Sequence, residues 1–117
     1  MAARSVEITL VNTTGQALAL QATPPLAHGI WGTQPPATVK SKATFEAESN
    51  GTLTGVQGTV VYQIGGAKNQ TVTLLFDNPF AGSDAFSAVC TPATAFSCAV
   101  TSNSGNNANV TFTLSAG

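Results

Sequence analysis

Apolar residues recur at every second position along most of the chain, and this period of two constrains the fold more than any other feature. The apolar positions that follow it are Val6, Ile8, Leu10, Leu18, Leu20, Val60, Tyr62, Ile64, Val72, Leu74 and Phe76. Three further short strands contain Phe86, Val89, Phe96, Val100, Val110, Phe112 and Leu114. Side chains of a β-strand point alternately to the two faces of a sheet, so the pattern predicts half-buried strands. No segment keeps the period of an amphipathic helix.

Glycine, proline and asparagine punctuate these segments. The run from Asn12 to Gly15 predicts a turn that joins the first two strands in a hairpin, and Asn50-Gly51 predicts a tight turn after the strand around residues 44–48. Residues 24–36 contain two Pro-Pro pairs, which predict an extended but irregular stretch. Together these features predict an all-β fold, an antiparallel β-sandwich of about eight short strands, as a single domain over residues 1–117.

The composition limits the classes of partner. Only 8% of residues are charged, 43% are hydrophobic, and the formal net charge is −1. The four cations are scattered, at Arg4, Lys40, Lys42 and Lys68. They predict no basic surface for a phosphate backbone, so nucleic acid is excluded as an expected partner. The opening residues lead directly into a strand and lack the basic and apolar parts of a secretory signal peptide, so we expect synthesis in the cytoplasm.

Catalytic residues are scarce. His28 is the only histidine, and no nucleophile-elbow motif accompanies it for a Ser-His-Asp triad. The two cysteines and the carboxylates lack the spacing of a zinc or calcium site. Glu46 and Glu48 share one face of a predicted strand, which allows an acid/base pair but is more typical of solvated carboxylates. The sequence therefore predicts no enzyme, no metal and no cofactor.

Cys90 and Cys98 are separated by seven residues. A hairpin with a loop of that length brings two α-carbons within disulfide range, and such a bridge stabilises a fold by roughly 2–3 kcal/mol in the loop-entropy model. Synthesis in a reducing cytosol instead favours two free thiols, with a bridge after release. Both states stay open at this point.

Trp31 is the only tryptophan, and it lies between glycines and prolines close to His28. One interpretation is a structural plug of the sandwich, which is the commoner role of a lone tryptophan. The other is an amphipathic contact at a membrane interface, where an indole ring is favoured. The second interpretation predicts that Trp31→Ala weakens membrane association more than it destabilises the fold. Phe80 and Phe86 flank a later Gly-Ser loop and are open to the same two interpretations.

Several stretches resemble one known family. They are HGIWGT at residues 28–33, FEAESNGTLTGVQGTVVYQI at 45–64, FDNPFAGSDAF at 76–86 and NSGNNANVTFTL at 103–114. In these stretches the chain resembles the aegerolysin family, and it looks most like the small component of bacterial binary insecticidal crystal toxins. The resemblance covers nearly the whole chain and implies a β-sandwich, affinity for membrane lipid, and pore formation with a larger second protein.

The resemblance also implies partners and site residues. The expected partners are target-cell membrane lipid, sphingolipid among them, a second toxin protein, and further copies of the chain on the membrane. A bacterial producer would release the protein or store it as an inclusion. The candidate membrane contacts, partly from the family motifs and partly from neighbouring residues, are His28, Trp31, Asp77, Asn78, Pro79, Phe80 and Gly82. The alternative is a lipid- or carbohydrate-binding sandwich without lytic activity.

Strand length bears on how such a protein reaches across a membrane. The alternating segments 59–64 and 72–76 are shorter than the roughly 9–11 residues of a membrane-spanning strand. We therefore expect recruitment of a partner or assembly of several copies rather than insertion by a single chain.

Overall fold

The computed structural model describes residues 3–21, 25–51 and 53–117. These residues form ten β-strands: β1 (Ser5–Asn12), β2 (Leu18–Leu20), β3 (Ile30–Thr33), β4 (Thr38–Val39), β5 (Lys42–Glu48), β6 (Val56–Ile64), β7 (Thr71–Asn78), β8 (Ala85–Thr91), β9 (Phe96–Asn103) and β10 (Asn107–Ala116). Across the described ranges, no helix has the length and apolar character needed to cross a membrane.

The strands form two five-stranded sheets that pack as a sandwich. The first sheet has the order β3-β5-β1-β10-β9, and the second has the order β4-β2-β6-β7-β8. All pairs are antiparallel except β1 with β10, which run parallel over eight residue pairs from Ser5 opposite Asn107 to Asn12 opposite Leu114. The all-β sandwich expected from the sequence is confirmed.

The core lies between the sheets and follows the period of two. Alternate residues of β1, β6, β7 and β10 are fully buried: Val6, Ile8, Leu10, Val60, Tyr62, Ile64, Val72, Leu74, Phe76, Val110, Phe112 and Leu114. Burial of each large apolar side chain contributes about 1.5–3 kcal/mol. This set matches the inward residues that the alternation predicts, because the pleat fixes which face each side chain takes.

The expected opening hairpin is wrong. β1 lies in the first sheet and β2 in the second, so the two strands are not neighbours. The turn itself is present, since the Asn12 side-chain Oδ1 accepts a hydrogen bond from the Thr14 backbone N–H at 3.1 Å, which is an Asx-turn. The turn residues Asn50-Gly51 lie between β5 and β6, which belong to different sheets, so this segment crosses from one sheet to the other.

The stretch predicted to be irregular contains one short strand, β3, and a second, β4, follows just after it, each at the edge of a sheet. They account for the difference between about eight strands and ten. β3 pairs with β5, with a register shift between Trp31 and Thr33. Pro24, at the start of the predicted stretch, lies outside the described residues.

Cys90 and Cys98 are joined in a disulfide, with their α-carbons 6.4 Å apart. The expected hairpin around them is absent, because β8 ends the second sheet and β9 ends the first. The bond therefore connects the two sheets on one side of the sandwich.

Candidate functional site

Several loops meet at the end of the sandwich where β1 begins and β7 ends. The Arg4 backbone N–H donates to Ser49 Oγ at 3.1 Å, and the Ser49 N–H donates to the Arg4 carbonyl at 2.9 Å. Arg4 Nη2 also donates to the Phe80 carbonyl at 2.8 Å. We call this region the loop end, and define it as residues 3–4, 27–29, 49–51, 53–55, 79–84 and 104–106.

Asn78 holds the loop end together from inside. Its side chain is 1% exposed, and its Nδ2 donates to the carbonyls of Ser5, Gly105 and Asn106 at 3.0, 3.1 and 3.0 Å. One amide group therefore fixes the start of β1 and the β9–β10 turn to the last residue of β7. Its burial does not fit the surface contact that the sequence predicted for Asn78, and its role is to position the loops.

Gly55 allows two loops to pack backbone against backbone. A Cβ at this position would lie 2.8 Å from the Asn78 carbonyl oxygen, the Phe80 nitrogen and the Pro79 α-carbon. Real Cβ atoms do not approach backbone this closely, so only glycine fits here. The contact fixes the position of the Pro79-Phe80 segment relative to the β5–β6 loop.

Two cavities open at the loop end, one on each side of this segment. A cavity of about 300 Å³ lies between Arg4, residues 78–84 and residues 104–106. A second, of about 380 Å³, is lined by His28, residues 53–57, Asp77 and the same Pro79 and Phe80. Pro79 and Phe80 thus form the wall between the two cavities. Six of the predicted contacts line one or both of them, namely His28, Asp77, Asn78, Pro79, Phe80 and Gly82.

Large apolar side chains are exposed beside the cavities. Leu53 is 70% exposed, and its φ of 60° is unusual for a bulky residue. Phe80 is 38% exposed, and the Arg4 guanidinium carbon lies 4.7 Å from the centroid of its ring. This distance is within the range of a cation–π interaction. The loop end therefore presents an apolar tip with a cation directly beside it.

Trp31 takes a different position. It lies on β3, its half-buried ring packs edge-on against Phe45 of the first sheet at 6.0 Å between centroids, and against Phe76 of the second sheet at 5.8 Å. It is not among the residues that line the two cavities. This geometry is that of a plug between the sheets, which is one of the two interpretations that the sequence allows.

No group of three or more His, Cys, Asp or Glu among the described residues is placed to hold a metal ion. Glu46 and Glu48 lie on the outer face of the first sheet, close to Gly32. A Cβ added at Gly32 would lie 3.1 Å from Glu46 Oε1. Asp84 Oδ2 accepts the Gly105 N–H at 3.2 Å and so helps to close the loop end.

Arg4 and Leu53 are site residues that the sequence did not predict. In the sequence Arg4 is only one of four scattered cations, and its position over Phe80 depends on a contact across 76 residues. One signal in the sequence could have identified Leu53, because it is an isolated apolar residue between two threonines, after a glycine. Such a residue in a turn has no strand to bury it.

The fold has counterparts among solved structures. The crystal structure of RahU protein in complex with a Tris molecule matches with a TM-score of 0.80 and 16% identity, over 100% of this chain and 98% of that chain. The lipid binding protein Nakanori matches with a TM-score of 0.79 and 14% identity, over 97% of this chain and 72% of that chain. IP-1A from Alcaligenes faecalis matches with a TM-score of 0.73 and 13% identity, over 98% and 92%.

Identities this low show a shared fold and nothing finer. Models of protein families and curated protein sequences give no match to the chain.

Proposed function

We propose that the protein binds membrane lipid through the loop end. The observation that carries this proposal is the exposed pair Leu53 and Phe80, with the Arg4 guanidinium 4.7 Å from the Phe80 ring, on loops fixed to a rigid sandwich. Large exposed apolar side chains next to cavities are typical of interaction sites.

The chemistry of these residues suits the boundary between lipid headgroups and acyl chains. Transfer of the exposed surface of Leu53 and Phe80 from water into the membrane is favourable, by about 25 cal/mol for each Å². Arg4 uses two of its five N–H donors on the carbonyls of Ala3 and Phe80. The others suit a headgroup phosphate, for which a guanidinium is a favoured partner. Binding would therefore combine apolar insertion with one charged contact and need no basic patch.

Two further lines support the proposal. Nakanori, which shares the fold, is described as a lipid binding protein. The motifs of residues 28–33, 45–64, 76–86 and 103–114 resemble the aegerolysin family, whose members bind membrane lipid. On this basis we extend the proposal to a component of an insecticidal, pore-forming pair, made in a bacterial cytoplasm and acting on a target-cell membrane with a larger protein.

The strand arrangement favours a partner for the pore-forming step. β6 has nine residues, which reaches the lower limit for a spanning strand, so the length expected from the sequence was too short. However, β6 and β7 are central strands of the second sheet and carry core residues such as Tyr62 and Phe76. Their insertion into a bilayer would dismantle the core of any copy, which favours membrane-spanning strands supplied by another protein.

Flotation with lipid vesicles tests the binding site. We expect Leu53→Ser and Phe80→Ser each to weaken binding about tenfold, which corresponds to about 1.4 kcal/mol of lost apolar burial. Val89→Ser is the matched control, because Val89 is 56% exposed but lies on β8, outside the loop end. Equal effects of all three substitutions, or no binding to vesicles of phosphatidylcholine, sphingomyelin or ceramide phosphoethanolamine, would rule out the proposed site.

Dye release from the same vesicles separates the toxin component from a non-lytic lipid- or carbohydrate-binding module. We expect binding without release by the chain alone, and release when the larger protein is added. Release at low concentration by the chain alone would contradict the need for a partner, while binding to glycans but not to vesicles would favour the module.

A further inference from the structure

β9 leaves a long edge of the first sheet open. It is the outermost strand, it has eight residues, and within the described ranges only β10 pairs with it. All five residues from Ala99 to Asn103 are exposed, including Val100, which points to the inner side of the sheet. This half of β9 therefore has one free edge and two uncovered faces.

β9 lacks the usual features that protect an edge strand. Edge strands are commonly shielded by charged side chains, proline, bulges or short length. β9 contains no proline, its register with β10 is continuous over eight pairs, and the sequence has no charged residue after Asp84. Its polar side chains bond toward β10, since Asn103 Oδ1 accepts the Asn109 N–H and Ser97 pairs with Ser115.

The other edge strands are shorter than β9, and each has a proline or a charged residue close to one of its ends. β3 has four residues, an irregular register and two prolines shortly after it. β4 has two residues and is followed by Lys40. β8 begins next to Asp84 and ends at Thr91, immediately before Pro92. β8 itself contains no proline or charged residue and pairs with β7 over seven residues, so β9 differs from it in being longer and in having no such residue directly at its ends.

From this contrast we propose that two copies of the chain associate through antiparallel pairing of their β9 strands, at residues 99–103. A twofold axis near Thr101 places Ala99 of one copy opposite Asn103 of the other, and Val100 opposite Ser102. Each copy then supplies the donors and acceptors that the other lacks, and no charged residue opposes another. The result is one continuous ten-stranded sheet.

The size of the interface limits the affinity of this dimer, and the antiparallel pairing fixes the orientation of its two loop ends. Five residue pairs bury less than the roughly 800 Å² per partner of a standard interface, so we expect a dissociation constant of about 100 µM or above. Antiparallel pairing points the two loop ends in opposite directions, because β9 leads into residues 104–106 of the loop end. The dimer is therefore a form in solution that does not depend on lipid binding.

Sedimentation in lipid-free buffer tests the dimer up to about 1 mM chain, together with hydrogen exchange of the β9 amides. We expect concentration-dependent dimers, and protection in β9 that rises with concentration. Thr101→Lys places like charges opposite each other and should raise the dissociation constant about fivefold. Thr44→Lys is the matched control, because Thr44 is an exposed threonine on the same outer face but in β5.

Three results would overturn the proposal. They are a monomer at every concentration, dimers that Thr101→Lys and Thr44→Lys affect equally, and dimers whose β9 amides exchange as fast as in the monomer. Thermal unfolding of both variants confirms that each is folded before its self-association is compared.

Discussion

At both ends of the sandwich a buried asparagine side chain holds the loops by hydrogen bonds, but the two ends present different surfaces. Each end has one buried asparagine, and these two are the buried polar residues among those that the structure describes: Asn78 at 1% exposure and Asn12 at 5%. Asn78 Nδ2 donates to three carbonyls at the loop end. Asn12 Nδ2 donates to the carbonyls of Gln16 and Lys40, both at 2.7 Å, at the opposite end.

The surfaces beyond these two residues diverge. The opposite end has a cavity of about 530 Å³ between residues 12–17 and residues 40–41, with polar and small side chains and Lys40. None of the large exposed apolar side chains of the described residues lies there, whereas Leu53 and Phe80 lie at the loop end. The asparagines are thus structural at both ends, and the loops that they hold decide which end can contact lipid.

The largest expected effect comes from removal of the Asn78 side chain, which holds the loop end together. Asn78→Ala removes the amide that donates to three carbonyls, of which only that of Asn106 also accepts the Ser5 N–H, and we expect the free energy of unfolding to fall by about 3 kcal/mol. Lipid binding should fall as well, because the loops that carry Leu53 and Phe80 lose their support. Urea denaturation and vesicle flotation measure the two effects.

Asn12→Ala is the comparison that sharpens this prediction. It removes the same group from the opposite end, so it should cost about 2 kcal/mol of stability and leave the affinity of the folded protein for vesicles unchanged. Asn78→Asp keeps the shape but replaces the donor by an acceptor, and should be at least as damaging as Asn78→Ala. An equal loss of lipid affinity in Asn12→Ala would show that the two ends are not functionally distinct.

The second effect concerns Trp31, which joins the two sheets in the half of the sandwich near the loop end. Because its ring packs on Phe45 and Phe76, Trp31→Ala should lower the free energy of unfolding by about 2–3 kcal/mol, less than a fully buried tryptophan would. The structure thus favours a loss of stability over the specific loss of membrane association that the sequence allowed.

Trp31→Phe separates the two roles. It keeps an aromatic plug, so stability should recover by more than half, and lipid affinity should stay at the level of the native chain. Affinity that stays low in Trp31→Phe, with stability restored, would mean that the indole itself contacts lipid.

The smallest effect lies toward the opposite end, at Tyr62. Its hydroxyl donates to the Pro36 carbonyl at 2.7 Å, and burial raises the pKa of Tyr62 from 10.0 to about 12. The unfolded chain therefore loses this proton first, so the stabilisation is present below pH 10 and declines as the pH rises toward 12. Ultraviolet titration follows this group alone, since Tyr62 is the only tyrosine.

Tyr62→Phe provides the control. It should cost about 1 kcal/mol at neutral pH through the lost hydrogen bond, and reduce the fall in stability between pH 10 and 12. A tyrosinate signal at pH 10 in the folded protein would contradict the raised pKa. Lipid binding at neutral pH should be the same in both proteins, because Tyr62 is remote from the loop end.

Local patterns in the sequence determined the strands and their inward faces. Val60, Tyr62 and Ile64 are buried as the alternation predicts, since the pleat assigns each side chain to a face whatever the partner strand is. The motif around Asp77, Asn78 and Pro79 lies where β7 ends, at the loop end that we propose as the site. The sequence by itself thus determined the class of the fold and the neighbourhood of the candidate site.

Only the tertiary structure decided which strands pair and what each site residue does. Turn residues after Asn12 do not distinguish a hairpin from a crossing between sheets, because both begin with the same local turn and differ in distant partners. The same limit applies to Asn78, whose burial depends on Ser5 and Asn106, and to Arg4, which reaches Phe80 across the loop end. Contacts between residues far apart in the chain form only when the two sheets pack, and no local pattern records them.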